Sequence, residues 1–146
     1  MLFRSSTTLG ELSTLQLQNL SGAQIAAAAA NLSTSQVAVF TTGQLTSNAI
    51  SALDTNTLLS SVSTTAIAGL GTAVIATLTS TQIGDLSTAE VQAISNADIS
   101  SISTTAIGNL STTTLAILTY AQVQNIDAAQ WAVIDPNDIQ YMNITA

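Results

Sequence analysis

The side chains of this sequence that could do acid–base or metal chemistry are eight carboxylates and one arginine, with no histidine, cysteine or lysine. Without imidazole, thiol or amine, the many serines have no base to activate them. Schiff-base chemistry and zinc sites of the nitrogen or sulfur kind have no donors either. The carboxylates remain. Asp135 and Asp138, with Asp127 eight residues before the first, offer oxygens for a weak Ca²⁺ site, although neither an EF-hand loop nor a glycine-rich Asp nonapeptide surrounds them. No glycine-rich loop precedes a lysine, so nucleotide binding has no support. These residues predict no enzyme and no cofactor.

A different role for the acids follows from where they stand. From Val62 onward a large aliphatic residue recurs every eight positions, at Leu70, Leu78, Leu86, Ile94, Ile102, Leu110, Leu118, Ile126, Ile134 and Met142. Five residues after each of the first ten comes a second apolar residue: Ile67, Ile75, Ile83, Val91, Ile99, Ile107, Leu115, Val123, Trp131 and Ile139. Position two of the octad is Ser, Thr, Asp, Asn or Gly throughout, the set favoured at helix N-caps. Three residues later stand Gln16, Gln24, Gln36, Gln44, Gln82, Gln122 and Gln130, or the acids Glu90, Asp98 and Asp138. That spacing is a capping box, and the two apolar positions fall at N′ and N4 as a hydrophobic staple. Asp54, Asp127 and Asp135 are then N-caps, leaving Glu11 and Asp85 as surface charges. Pro136, the only proline, falls at N1, where its missing N–H costs nothing.

One long helix is excluded. At about 100° per residue eight residues advance about 800°, so the apolar stripe would circle the helix instead of forming a seam. Each octad must start its own short helix, too short to stand alone and stabilised by stacking on its neighbours. The predicted fold is therefore an all-α solenoid of very short capped helices, one per octad. The alternative is a β-solenoid, since Thr, Val and Ile favour strands. Against it, a five-residue offset would put the two apolar positions on opposite faces.

Residues 1–146 read as a single repeat solenoid, with irregular octads and insertions over 4–61 and regular ones over 62–146. In the irregular part, Ala28–Asn31 is an extra alanine-rich segment, and Leu45 serves as position six of one unit and position one of the next. A longer repeat also shows: Ser63–Ile67 returns as Ser103–Ile107, five octads on. It is either one superhelical turn or the trace of a duplication.

The balance of one cation against eight acids, a net charge of -7, excludes neutralising a run of phosphates, so no nucleic-acid partner is expected. Only 6% of residues are charged while 47% are hydrophobic, so hydroxyls and amides must supply the polar surface. No apolar stretch approaches the roughly 18 residues of a membrane span. The opening residues, Met1 to Thr8, carry one positive charge but no apolar h-region, so no signal peptide is expected there.

The units Leu-Thr-Ser-Thr-Gln-Ile-Gly-Asp at 78–85 and Leu-Ser-Thr-Ala-Glu-Val-Gln-Ala at 86–93 resemble the Leu-Thr-Thr-x-Gln-Ile-x-x octapeptide arrays of large bacterial surface or secreted proteins, often called adhesin-like. The resemblance implies an extracellular or cell-surface structural role and carries over no functional residue. Two functions fit this pattern. The first is a self-associating building block or spacer whose partners are further copies of itself or other cell-surface proteins. Its interface is expected at Phe3, Tyr120, Trp131, Ile139, Tyr141 and Met142, where rings and apolar side chains gather. The alternative is a binding solenoid presenting a ladder of hydroxyls to ice or polysaccharide.

Overall fold

The computed structural model describes residues 9–145. Fourteen short α-helices follow one another, with no strand among the described residues. They are α1 (Thr14–Gln18), α2 (Gly22–Ala28), α3 (Thr34–Val37), α4 (Ser47–Thr55), α5 (Thr64–Ala68), α6 (Thr72–Ile75) and α7 (Ser80–Asp85). After these come α8 (Thr88–Ala93), α9 (Asn96–Ile99), α10 (Thr104–Gly108), α11 (Thr112–Ala116), α12 (Tyr120–Val123), α13 (Ala128–Trp131) and α14 (Pro136–Ile139). Three 3-10 turns, Ala29–Asn31, Thr42–Gln44 and Leu59–Ser61, all lie in the irregular part. The all-α reading holds, and the strand alternative falls.

The octad builds one structural step. Its position-two residue is extended, for example Ser103 at φ -60 and ψ 148, and its hydroxyl accepts the Ala106 N–H at 3.1 Å. One helical turn follows, and then the next position-one N–H bonds back to the position-six carbonyl, as Leu110 does to Ile107 at 3.3 Å. The chain thereby turns a corner and returns an aliphatic side chain inward. Position one is buried from Val62 to Met142 and position six from Ile67 to Val123, while Trp131 and Ile139 are partly buried against the same core.

Each helix of the regular part touches one three octads away. α5 packs on α8, α6 on α9, α7 on α10, α9 on α12 and α10 on α13. Hydrogen bonds between layers reach 28 and 31 residues back, so one turn of the coil takes between three and four octads. The five-octad sequence repeat is therefore not one superhelical turn. Close approach between layers is visible at Gly22, where an added Cβ would lie 2.5 Å from Thr46 Oγ1, 24 positions on.

The irregular part departs from the reading at Asp54. It is not an N-cap but lies in the last turn of α4, because Leu53 and Val62 stand nine residues apart and the helix runs on through the expected cap position. α4 ends instead in a Schellman motif, with Leu58 N–H on Leu53 O and Thr57 N–H on Asp54 O, both at 2.8 Å. Thr57 pays for this with φ 57, the only positive φ of a non-glycine among the described residues. A β-branched residue is strained there, and glycine is not. Thr57→Gly should raise stability by about 1 kcal/mol, read as a higher urea midpoint at unchanged m-value. A lower midpoint would show that the Thr57 side chain stabilises the turn.

Ala29–Asn31 is the extra turn that absorbs the alanine-rich insertion. Leu45 has the double role read from its spacing, since it follows the turn Thr42–Gln44 and precedes the N-cap Thr46.

Candidate functional site: a ladder of buried amides

From Gln36 onward the position-five glutamines do two things at once. In the octad of α12, Gln122 Oε1 accepts the Thr119 N–H at 2.9 Å, completing a capping box. Its Nε2 donates to Val91 O at 2.8 Å and Ile94 O at 2.9 Å in the preceding layer. Gln130 repeats this one octad on, with Asp127 N–H on its Oε1 and Ile99 O and Ile102 O on its Nε2 at 2.8 and 2.7 Å. Gln44 does the same to Leu17 O and Leu20 O, both at 2.8 Å. Both amide protons and the carbonyl of each group are thus engaged, the condition for burying an amide without a net penalty. Gln122 and Gln130 are 0% and 1% exposed. Gln36 donates to Leu9 O and Gln82 to Ser51 Oγ, extending the pattern with different acceptors.

Read only as capping, these glutamines hide their inter-layer bonds. A signal was available in the sequence: a capping box accepts Glu as readily as Gln, yet Glu appears at this position once, at Glu90. Only an amide can donate. Asparagine at position eight was likewise missed. Asn19, Asn109 and Asn125 donate to the carbonyls of Leu15, Thr105 and Ala121 at 2.7 to 2.8 Å, closing the helix ends.

The acids distribute unevenly over the roles expected of them. Asp127 is an N-cap, its Oδ1 accepting Gln130 N–H at 2.8 Å, and Asp135 caps through Asn137 N–H at 2.8 Å. Asp98 does not complete a capping box: its Oδ2 accepts from Ser95 Oγ at 2.7 Å. Asp138 is no box partner either, since its Oδ1 accepts from Thr112 Oγ1 at 2.6 Å across the layers. Asn143 heads no helix among the described residues and uses its amide on Leu118 O at 2.7 Å. Asp127, Asp135 and Asp138 do not converge, and no group of three acids able to hold a metal occurs among the described residues.

Asp54 and Asp85 meet instead, lining a cleft of about 140 Å³ with Thr57, Leu59 and Ser60. Burial, then a shared hydrogen bond with Asp85 and that residue's charge, push the Asp54 carboxyl above its ordinary value.

Of the residues expected at an interface, Phe3 lies outside the described residues. Met142 is buried, while Tyr120, Trp131 and Ile139 are partly so, and Tyr120 accepts at its hydroxyl from Gln124 Nε2 at 2.6 Å. Tyr141 is 56% exposed, and beside it in the last octads Val133 and Ile144 are exposed at 44% and 52%. No helix among the described residues is long and apolar enough to cross a membrane. Neither a family model, nor a curated protein, nor a solved structure matches this chain.

Proposed function

We propose that this chain is a structural repeat module without catalytic activity, a self-associating building block or spacer of an extracellular bacterial assembly whose partners are copies of itself or other cell-surface proteins. The observation carrying this reading is the division of its surface. Hydroxyls at position two and amides at position five are spent on caps and inter-layer bonds, while Val133, Tyr141 and Ile144 are left exposed on the last octads. The same bonds draw the position-two hydroxyls away from a ladder facing ice or polysaccharide. The extracellular placement is supported by the resemblance of the octad to arrays in bacterial surface proteins. A body that stacks one layer on the next favours heterologous contact, which propagates into filaments or rings.

The test is static light scattering and negative-stain microscopy of the purified chain beside a Val133→Asp, Tyr141→Asp double variant. The wild type should form assemblies whose mass grows with concentration and with salt, which screens the net charge of -7. The variant, altered only at exposed positions, should stay smaller. A wild type that remains monomeric under both conditions removes self-assembly from the function and leaves the spacer role.

A further inference from the structure

Two glutamines of the first layer use only half of their amide. Gln16 and Gln24 stand at position five, and their Oε1 atoms accept the Ser13 and Ser21 N–H at 2.9 and 2.8 Å, completing capping boxes. Their Nε2 atoms donate to no acceptor among the described residues. Gln44, Gln122 and Gln130, by contrast, each direct theirs to two carbonyls of the layer before. Gln16 is exposed and Gln24 half-buried, where Gln122 and Gln130 are enclosed. The first layer thus presents two amide donors, eight residues apart, on the side where the ladder elsewhere finds carbonyls.

The last layer holds the complement. The carbonyls that receive a ladder amide belong to position six and to the next position one, as in Val91 with Ile94 and Ile99 with Ile102. In the last layer the same pairs are Trp131 with Ile134 and Ile139 with Met142, again eight residues apart. The corner is built alike, Met142 N–H closing onto Ile139 O at 3.1 Å as Ile102 closes onto Ile99 at 3.1 Å. No side chain among the described residues donates to these four carbonyls, and each oxygen has two lone pairs. Trp131 and Ile139 are also the only position-six residues of the regular octads that are partly rather than fully buried. Donors without acceptors lie at one end of the coil, and acceptors without side-chain donors at the other.

We propose that a second copy of this chain docks head to tail by carrying the amide ladder across the junction: Gln16 of one copy donates to Trp131 O and Ile134 O of another, and Gln24 to Ile139 O and Met142 O. This rests on the reading of the chain as a self-associating module and names its junction. The open face fits a second copy because the first layer already carries what that face requires, two amides at the matching spacing. Their capping boxes hold them in place, so little freedom is lost on docking. Each junction bond satisfies a polar group while Trp131 and Ile139 lose their remaining contact with water. A contact between two different ends is heterologous and so repeats from copy to copy.

The layers within the chain set the register of the junction. Gln92, the residue after Val91, donates from Nε2 to Ile117 O at 2.9 Å, and Ile117 stands five residues before Gln122. The same pair of places recurs at Gly108, where an added Cβ would lie 3.1 Å from Val133 Cβ. Across the junction these places fall to Ala132, the residue after Trp131, and to Glu11, five residues before Gln16. Both are exposed, and the chain has no cysteine of its own, so a disulfide engineered between the two positions reports this register.

The first arm of the experiment compares wild type with a Gln16→Glu, Gln24→Glu double variant, by light scattering over a concentration series and by thermal melting of the dilute chain. Glutamate keeps the capping box but cannot donate. The variant should melt with wild type when dilute and need a concentration about 100-fold higher to assemble. A Thr65→Glu, Thr105→Glu control adds the same charge at exposed positions on the body and should assemble as wild type does. In the second arm, Glu11→Cys and Ala132→Cys single variants are oxidised separately and as a mixture, and mixed disulfide dimers should far exceed dimers of either variant alone. A wild type that stays monomeric overturns the junction together with the reading beneath it. Assembly of the Gln16→Glu, Gln24→Glu variant at the wild-type concentration overturns the junction alone. So does a charge control that loses assembly equally, a dilute variant that melts lower, or like dimers as abundant as mixed ones.

Discussion

Ile107→Ala should lower stability by about 2–5 kcal/mol, several times the loss of about 1 kcal/mol expected from Ser103→Ala in the same octad. Ile107 is buried at position six of α10, inside the continuous core, and α10 stacks on both α7 and α13. Removing its side chain leaves a cavity bounded by rigid one-turn helices that cannot collapse independently. Ser103 loses a single bond, to Ala106 N–H, at an exposed position where water can replace it. Chemical denaturation of both variants gives the ratio. Equal losses would mean that the octads behave as separate capped helices and not as layers of one core. Because layers are coupled by contact, the Ile107→Ala transition should also broaden, as the array on either side of the cavity unfolds less cooperatively.

Gln122→Glu should cost about 3–5 kcal/mol near neutral pH, from a change of one NH₂ to one oxygen. The capping half of the side chain survives, since Oε1 can still accept Thr119 N–H. The inter-layer half is inverted: Val91 O and Ile94 O lose their donor and face a carboxylate in a site with 0% exposure. A urea titration near pH 7 measures the loss. At acid pH, where the introduced carboxyl can hold a proton, the loss should shrink. A cost within about 0.5 kcal/mol, the range of an ordinary surface substitution, would show that the ladder bonds contribute nothing beyond the cap.

The helix starts and the core of this protein are legible in its residues alone, because both depend on local chemistry. A short oxygen side chain at an N-cap bonds an N–H three residues away, and the aliphatic residues at positions one and six can share a side only if the chain turns within each octad. Ser21, Ser103 and Asp127 needed nothing distant to reveal their roles, and Leu45 betrayed its double duty through its spacing alone.

What lay beyond reach depends on how many octads make a turn, which no single octad encodes. That layers repeat every three to four octads, so that Gln122 meets Val91 and Ile94, emerges only from the packed coil. One additional residue between Leu53 and Val62 was enough to extend α4 through Asp54, turning an expected cap into a residue that lines one cleft with Asp85. Local hydrogen bonds fix where each helix begins. The winding of the coil, set by packing between residues some 28 positions apart, fixes what each polar side chain finally meets.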